Sequence, residues 1–509
     1  MFDPDSPNRI INYRPLLWAA VGFIAGLASY EALFGLYLKQ GWLVASLLIA
    51  IAAAGALLVS AIRIGRAPAA LLAAAFLLGF ARMAAASPDV IAAGNHHIEG
   101  VVCSVSDTDK GTVLLKNASI DGDPLKYRVK LKLGDGRAEV GDRIEAEASV
   151  SNPTRRFGTY NERLVLLSSG VSVSGKAESF VVKSNHSLPV TEWFSRLKKL
   201  LEQRISEVFG TEAEIAAGFL LGNKTGMDEA ESENFKTTGT AHLLSLSGFH
   251  VGIITALLIL VLPKRYPVGR AAAVGIFLFI YCGVAAFTPS LVRASIMCMA
   301  VLLADILMKP RDALSSLSLA AMIILMISPY KLWSAGFVLS FSATFGIIAA
   351  TSAGAWSTSS MTLNKLLGLI TATLGATAAT VLVSARYFGY FPTYGLLANI
   401  TAVPVFSLAV TLSFVVLLIG IPFPAAASVL AFVPRALIRL ASRILDAISA
   451  LPYSRLDVIR PSMFSFLLML ILIFTVSPFV LRPLKKRLKI ALPVFLLFTA
   501  SLAADIIRA

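Results

Sequence analysis

The sequence predicts a polytopic α-helical membrane protein with a small β-barrel inserted outside the membrane. Three observations predict this class: the composition, long apolar runs, and one stretch in which apolar and polar residues alternate. Of 509 residues, 56% are hydrophobic and only 15% are charged, whereas soluble chains are roughly 25% charged. Most of the apolar runs are long enough to cross the ~30 Å hydrocarbon layer as helices. They occupy residues 16–33, 42–62, 68–86, 251–262, 271–287, 292–308, 463–481 and 492–504.

The first apolar run is expected to remain as a membrane anchor. Asp3 and Asp5 precede it, and no small-residue cleavage site follows a short apolar core, so the pattern is not that of a cleaved signal peptide. Residues 1–95 are therefore interpreted as N-terminal transmembrane helices.

The excess positive charge lies in the C-terminal half. Residues 241–509 carry 20 basic and 5 acidic residues, and the net charge of the chain is +15. Loop cations mark the cytoplasmic side of a membrane protein. With Arg9 and Arg14 inside, this rule places residues from about 87 to 238 outside. The loop cations interpreted in this way are Lys264, Arg265, Arg270, Lys309, Arg311, Lys365, Arg482, Lys485, Lys486, Arg487 and Lys489.

Residues 96–186 form the predicted outer domain. Apolar and charged residues alternate along 125–133 and 144–150, with turn residues between such stretches, which is typical of strands with one wet face. Five or six strands in about 85 residues suit a barrel of the oligonucleotide-binding type. Its exposed cations either contact a single strand of nucleic acid or merely keep the wet face soluble. The candidates are Lys126, Arg128, Lys130, Lys132, Arg155 and Arg156.

Residues 187–238 are interpreted as amphipathic and linking helices. Apolar residues from Trp193 to Val208 recur at helical spacing, with cations on the other faces. We expect this helix to lie on the outer membrane surface or to pack on the barrel.

Residues 239–509 begin with GTAHLLSLSGFHVG at 239–252, a polar cluster at a membrane entry. Polar groups are costly in hydrocarbon unless they are paired, so His242, Ser245, Ser247 and His250 should face a watery or protein-lined cavity. Gly248 and Gly252 would allow another segment to approach closely. A hydrolytic dyad of either serine with His250 is an alternative, although no acid lies nearby in the sequence.

Arginines within or beside later apolar runs form a second group of candidates. Arg293 lies inside a run whose only acid, Asp305, is three turns away, and Arg386 follows another run. Arg435, Arg439 and Arg443 share one helix face and contact either lipid phosphates or a polyanion in a cationic conduit.

Between Pro392 and Pro461 the apolar pattern is interrupted, and this region is expected to contain a broken or re-entrant segment. Asn399 and several prolines cause the interruption, and the number of crossings stays open.

Motifs for nucleotide hydrolysis and metal binding are missing. Residues 218–225 (GFLLGNKT) depart from a phosphate-binding loop in the position of the second glycine. Five histidines without an HExxH pattern indicate no zinc or two-metal site. No cofactor is expected.

The motif at 239–252 resembles the signature of the ComEC family, whose members carry transforming DNA across the bacterial inner membrane. Residues 221–224 (LGNK), 289–297 (PSLVRASIM) and 336–343 (GFVLSFSA) are similar to other segments of that family. The barrel, including 152–160, resembles the family's N-terminal domain. The metallo-β-lactamase-like domain of many members has no counterpart here, so no nuclease activity is expected.

The resemblance implies a multi-pass inner-membrane channel for single-stranded DNA, with residues 96–186 outside. It also implies membrane lipids, a separate DNA receptor, a cytoplasmic motor, a separate nuclease and a homo-oligomer as candidate partners. The path would include His242, Ser245, Ser247, Gly248, His250, Arg293, Arg386 and Asn399. A secondary transporter of a small anion or lipid precursor, with its site in 392–461, is the alternative from another class.

Overall fold

The computed structural model describes most of the chain. The described residues are 14–34, 67–88, 91–105, 111–134, 138–151, 156–157, 160–183, 189–223, 226–244, 246–352, 360–458, 460–479 and 484–508. Ser245 and Arg155 lie outside the described residues, as does the side chain of Arg156.

Helices make up most of the described structure. They are α1 (Pro15–Phe34), α2 (Ala67–Ala85), α3 (Glu162–Ser168), α4 (Pro189–Phe209), α5 (Ala213–Leu221), α6 (Glu229–Thr237), α7 (Gly248–Val261), α8 (Pro267–Val284), α9 (Pro289–Ile306), α10 (Ala313–Ile327), α11 (Ala335–Thr351), α12 (Met361–Phe388), α13 (Gly395–Gly420), α14 (Pro424–Leu430), α15 (Phe432–Ser449), α16 (Met463–Val476) and α17 (Leu484–Arg508). Short 3₁₀ helices lie at Gly210–Glu212 and Pro329–Trp333.

Within the described part of the chain, six helices are long and apolar enough to cross a membrane: α1, α8, α9, α12, α13 and α17. The pair α14 and α15 is bent by 45° and adds a seventh span if the two helices are taken together. This break lies in the region where the sequence predicts a broken segment, and α13 in the same region contains Pro404. The chain is therefore a multi-pass membrane protein.

The domain that the sequence predicts to lie outside the membrane is a small closed barrel. Its strands are β1 (Gly94–Val105), β2 (Thr112–Ile120), β3 (Asp123–Pro124), β4 (Arg128–Lys132), β5 (Arg143–Ser151), β6 (Arg156–Phe157), β7 (Tyr160–Asn161) and β8 (Val171–Lys183). The order is β1-β5-β8-β4-β2, and β2 pairs back onto β1 to close a five-stranded barrel. Only the pairing between β4 and β8 is parallel among these five strands. The predicted fold class is confirmed.

Apolar side chains at alternate positions of the strands fill the barrel. Each strand turns one row of apolar side chains inward, as the period of two requires, and the core includes Ile98, Leu115, Leu131, Ile144 and Val173. Irregular pairing of β1 with β2 follows Glu99. At the next residue, Gly100, an added methyl group would lie 3.0 Å from Leu115 Cβ, so a glycine permits the close approach there.

Several polar contacts hold the barrel on the membrane helices. Arg163 of α3 forms an ion pair with Glu31 near the end of α1 at 2.5 Å. The hydroxyl of Tyr127, just before β4, donates to the carbonyl of Ala86 beyond α2. The ends of α1 and α2 therefore define what we call the barrel face of the membrane region.

Further contacts place other helix ends at the barrel face. Arg82 of α2 donates to the carbonyls of Met326 and Ile327 at the end of α10. Tyr387 at the end of α12 donates to Trp333, which precedes α11. At the other end, Arg14 before α1 pairs with Asp312 before α10 at 2.9 Å. The helices thus run between the barrel face and an opposite face.

The helix α4 packs on the membrane helices, whereas the sequence predicts that it lies on the outer membrane surface or packs on the barrel. Near its start, Phe194 packs on Gly283 at the barrel-face end of α8. Near its end, Val208 reaches Gly420, the last residue of α13. The helix α5 returns toward the barrel face, where the hydroxyl of Tyr281 donates to the carbonyl of Leu220 at 2.9 Å. Together α4 and α5 form a helical hairpin with its tip at Gly210–Glu212.

Candidate functional site

The start of α7 carries two residues of the polar cluster. Ser247 precedes the helix, and its backbone N–H donates to Nδ1 of His250 at 3.1 Å. This bond places the proton of a neutral His250 ring on Nε2. The His250 side chain is buried, and Nε2 has no hydrogen-bond partner among the described residues. A buried donor is therefore left unsatisfied, which is costly in the absence of a ligand or water.

Arg293 of α9 is a buried cation. The residue is 7% exposed, and its guanidinium donates to the carbonyl of Ser340 in α11 and lies 5.9 Å from the ring centre of Phe341. Its Nε has no partner, and no carboxylate pairs with it in the described part of the chain. Asp305 pairs with Arg311 instead, at 2.7 Å. An unpaired buried charge costs several kcal/mol.

Arg293 and the start of α7 come together although they lie far apart in the sequence. A methyl group added to Gly248 would lie 3.1 Å from Nη2 of Arg293. The guanidinium therefore packs directly on the first turn of α7, where helix N–H groups also favour negative charge. The arrangement offers a cation and N–H donors but no carboxylate, and such a donor set suits an anionic oxygen.

His242 belongs to the segment just before α7, which packs on the start of α13. Gly239 has φ of +72°, and Pro392 lies so close that a methyl group there would meet its Cγ at 2.7 Å. His242 is exposed, and its Nδ1 lies 3.1 Å from the carbonyl of Gly239. Asn399 lies one turn into α13 and is half-buried. Both residues therefore lie beside the junction of these two segments.

The other membrane arginines are held elsewhere. Arg386 at the end of α12 donates to the carbonyl of Pro461 at 2.8 Å. Arg435 donates to the carbonyl of Val208, and Arg439 forms an ion pair with Glu212 at the tip of the hairpin. The last two side chains thus bind the protein itself, whereas Arg443 of the same face is exposed.

The barrel cations fall into two groups. Arg143 pairs with Glu99 at 2.8 Å, and Lys183 pairs with Glu145 at 2.6 Å. Lys126, Arg128 and Lys130, in contrast, are exposed and have no carboxylate partner among the described residues. Lys132 is also exposed. Arg143 and Lys183 are thus balanced by carboxylates of the barrel, whereas Lys126, Arg128 and Lys130 have none in the described structure.

The described residues form neither a complete catalytic triad around His250 nor a group of metal ligands. The Ser247 hydroxyl lies 3.1 Å from Nδ1 of His250, but the Nε2 atom that an acid would orient has no partner in the described structure. The described residues contain no group of three or more His, Cys, Asp or Glu side chains arranged to hold a metal ion.

Comparison with known proteins decides the family. A model of the Competence protein family matches residues 219–482, more than half of the chain. The chain belongs to this family. The resemblance seen at 239–252 is thereby confirmed, and the Competence region contains His242, Ser247, Gly248, His250, Arg293, Arg386 and Asn399.

The chain is also similar to one curated protein. The Competence chain is 31% identical over 141 residues to ComE operon protein 3 of Bacillus subtilis (strain 168), a match that covers 27% of this chain and 18% of that protein. No solved structure matches.

Sequence reasoning missed two residues of this Competence region and one residue that precedes it, Glu212. Ser340 supplies the carbonyl for Arg293, Glu212 pairs with Arg439, and Lys331 reaches the turn before α9. Ser340 and Lys331 lie 47 and 44 residues from their partners, and Glu212 lies 227 residues away. Local patterns cannot predict such contacts, although a lysine between apolar helices, as at 331, is a signal that could have been followed.

Proposed function

We propose that this chain is an inner-membrane channel that admits single-stranded DNA during natural transformation. The observation that carries the proposal is the buried Arg293, which packs on the first turn of α7 and has no carboxylate partner among the described residues. Membership of the Competence protein family supports a role in DNA uptake. A phosphate passing this point would supply the missing negative charge.

The barrel supplies the receiving surface in this proposal. Arg128 and Lys130 of β4 have no carboxylate partner among the described residues and suit a phosphate backbone, since neutralising phosphates and releasing their counterions drives such binding. The barrel would then lie outside the bacterial inner membrane, and the loop cations at 264–265 and 485–489 would lie in the cytoplasm. DNA contact by Lys126, Arg128, Lys130, Lys132, Arg155 and Arg156 is part of the proposal.

Other components would complete the uptake system. A separate DNA receptor would deliver the strand, a cytoplasmic motor would pull it, and a separate nuclease would degrade its complement. The matched segment is 18% of the Bacillus relative, so these components are proposed for this chain. Contact with membrane lipids and homo-oligomer formation are further parts of the proposal.

The proposal is tested by replacing Arg293 with Gln in a transformable host or in a complemented deletion strain. Entry of labelled DNA into the cytoplasm should be lost while the amount of protein in the membrane stays normal. Arg293→Lys keeps the charge and should retain part of the uptake. Arg311→Gln is the matched control because Arg311 is an exposed residue paired with Asp305, and uptake should stay normal. Normal uptake by Arg293→Gln would reject the site.

A secondary transporter is a second candidate because α14 and α15 are bent by 45° next to the proline-containing α13. Broken helices of this kind form the midplane sites of many transporters. This function predicts uptake of a small anion by proteoliposomes and no binding of a single strand. The channel predicts the opposite pair of results.

A further inference from the structure

The strand β4 presents a row of cations on the outside of the barrel. Arg128, Lys130 and Lys132 are exposed, while Val129 and Leu131 between them are fully buried. Alternate residues of a strand are ~6.6 Å apart, a spacing comparable to that of successive phosphates in an extended single strand. A single strand of DNA can therefore bind along the row, with successive phosphates at successive cations.

One end of this row lies on the membrane helices. Arg128 is at the start of β4, next to Tyr127, whose hydroxyl donates to Ala86. The ring of Tyr127 also contacts the ring of Tyr330 edge to face, with centres 6.1 Å apart. Tyr330 belongs to the 3₁₀ helix Pro329–Trp333. The row of cations consequently ends at this 3₁₀ helix.

Lys331 is the next residue of that 3₁₀ helix. Arg128 and Lys331 directly follow Tyr127 and Tyr330, whose rings are in contact, and burial, followed by the charge of Arg128, lowers the pKa of Lys331. No carboxylate pairs with either of them among the described residues. A like-charged pair without an anion is unfavourable, and a phosphate between the two groups would remove the repulsion.

Lys331 also contacts the turn that leads into α9. Its Nζ lies 3.4 Å from the carbonyl oxygen of Phe287, in the turn between α8 and α9. Ala286 and Phe287 both have φ of 52°, a left-handed conformation that is uncommon for residues other than glycine. The helix that starts two residues later carries Arg293. Lys331 thus lies between the cations of β4 and the buried guanidinium.

We propose that Lys331 contacts a phosphate of a single strand of DNA at the point where the strand passes from the barrel to Arg293 at the start of α7. Arg128, Lys331 and Arg293 then contact the DNA one after another along its length. This inference rests on the proposed function, and it adds a residue to the path and a route between the two domains. It favours a nucleic-acid phosphate over a lipid headgroup because the cations continue along β4, away from the membrane.

Salt-dependent binding tests the contact. The full chain in nanodiscs of uncharged lipid is titrated with a fluorescently labelled oligothymidylate at several salt concentrations. Each phosphate contact on a single strand contributes a slope of about 0.7 to the plot of log K against log salt concentration. Lys331→Gln should reduce the magnitude of the slope by about 0.7, and Lys331→Arg should leave it close to that of the unaltered chain.

A control variant and a measurement of bound lipid separate the outcomes. Lys365→Gln removes an exposed lysine at the start of α12, near the opposite face, and should leave the slope unchanged. An unchanged slope for Lys331→Gln, in a chain that still binds DNA, overturns the inference but not the proposed function. Retention of phosphatidylglycerol that depends on Lys331, without a change in DNA binding, overturns it in favour of a lipid site. If the unaltered chain binds no strand, the proposed function fails as well.

Discussion

At the scale of single residues, Arg293 depends on the glycine that it contacts. No side chain separates the guanidinium from the first turn of α7, because position 248 is a glycine. The same helix contains Gly252, where an added methyl group would meet no atom within 4 Å. The two glycines therefore form a matched pair for mutation.

Gly248→Ala should reduce DNA uptake because the new methyl group would lie 3.1 Å from Nη2 of Arg293 and displace it. Gly252→Ala should leave uptake intact and stabilise the helix by about 0.5–1 kcal/mol. Uptake of labelled DNA and the thermal unfolding midpoint in detergent measure the two effects. Equal uptake by both variants would show that the position of the guanidinium does not matter.

Histidines at the edge of the barrel predict a pH dependence. A hydrogen bond to Asp121 raises the pKa of His96, and hydrogen bonds to Glu147 and Glu99 help to raise that of His97. A raised folded-state pKa stabilises the fold fully below the unfolded value of 6.5, and this contribution is lost as the pH rises through the folded value. The pKa of Asp121 is lowered mainly by His96, so its contribution is lost in acid.

Hydrogen exchange of the full chain measures this effect. The backbone N–H of His97, which donates to Asp121 at 2.9 Å, should lose protection as the pH rises above 6.5, after correction for the intrinsic exchange rate. His96→Gln should remove most of that pH dependence. The same pH dependence in the variant and in the unaltered chain would contradict the assignment.

Sequence patterns predicted some of these residues and not others. His250 and Arg293 stand out because polar groups are rare in apolar runs, and the cost of burying them requires a reason. That Gly248 would contact Arg293 depends on the packing of α7 on α9. Such a contact is decided by tertiary structure, which the spacing of residues along the chain does not contain.

At the scale of elements, the hairpin of α4 and α5 is fixed to α15 at its tip. Glu212 has a side chain that is 9% exposed, whereas that of its partner Arg439 is 59% exposed. Oε1 of Glu212 also accepts from the hydroxyl of Thr211 at 2.9 Å, and Oε2 has no partner among the described residues. The pair therefore joins one buried and one solvated group, and its two members should respond differently to mutation.

Arg439→Gln should destabilise the protein by about 1–3 kcal/mol because it leaves the buried carboxylate without its cation. Glu212→Gln should cost less because it leaves a solvated arginine. Arg443→Gln is the control, since Arg443 is exposed on the same face and has no partner in the described structure. Thermal unfolding in detergent ranks the three variants. A larger loss for Glu212→Gln than for Arg439→Gln would contradict the account.

The periodicity of α4 predicted an amphipathic helix but not its partner. The apolar residues from Phe194 to Val208 pack on α8 and α13, and any apolar surface of suitable shape would satisfy the same pattern. For α15 the interruption by prolines predicted a break, and the 45° bend between α14 and α15 agrees with it. The bend itself depends on the helices around it.

At the scale of the whole molecule, the barrel and the loop cations that the structure describes lie at opposite faces. The fold class and the barrel followed from composition and alternation because both properties reflect burial directly. The joining of the barrel to the membrane helices through Arg163 and Tyr127 could not be predicted. That junction determines where the row of cations on β4 ends, and therefore where a strand would enter.

The central claim is that a passage for DNA opens beside the start of α7. A photoreactive amino acid at Phe249, which is 42% exposed next to His250, tests it during uptake of a labelled single strand. The same probe at Ile276 of α8, which is 63% exposed, serves as the control. The account predicts crosslinks to DNA from position 249 and none from position 276. Uptake that proceeds without crosslinks from position 249, or with equal crosslinks from both positions, would contradict it.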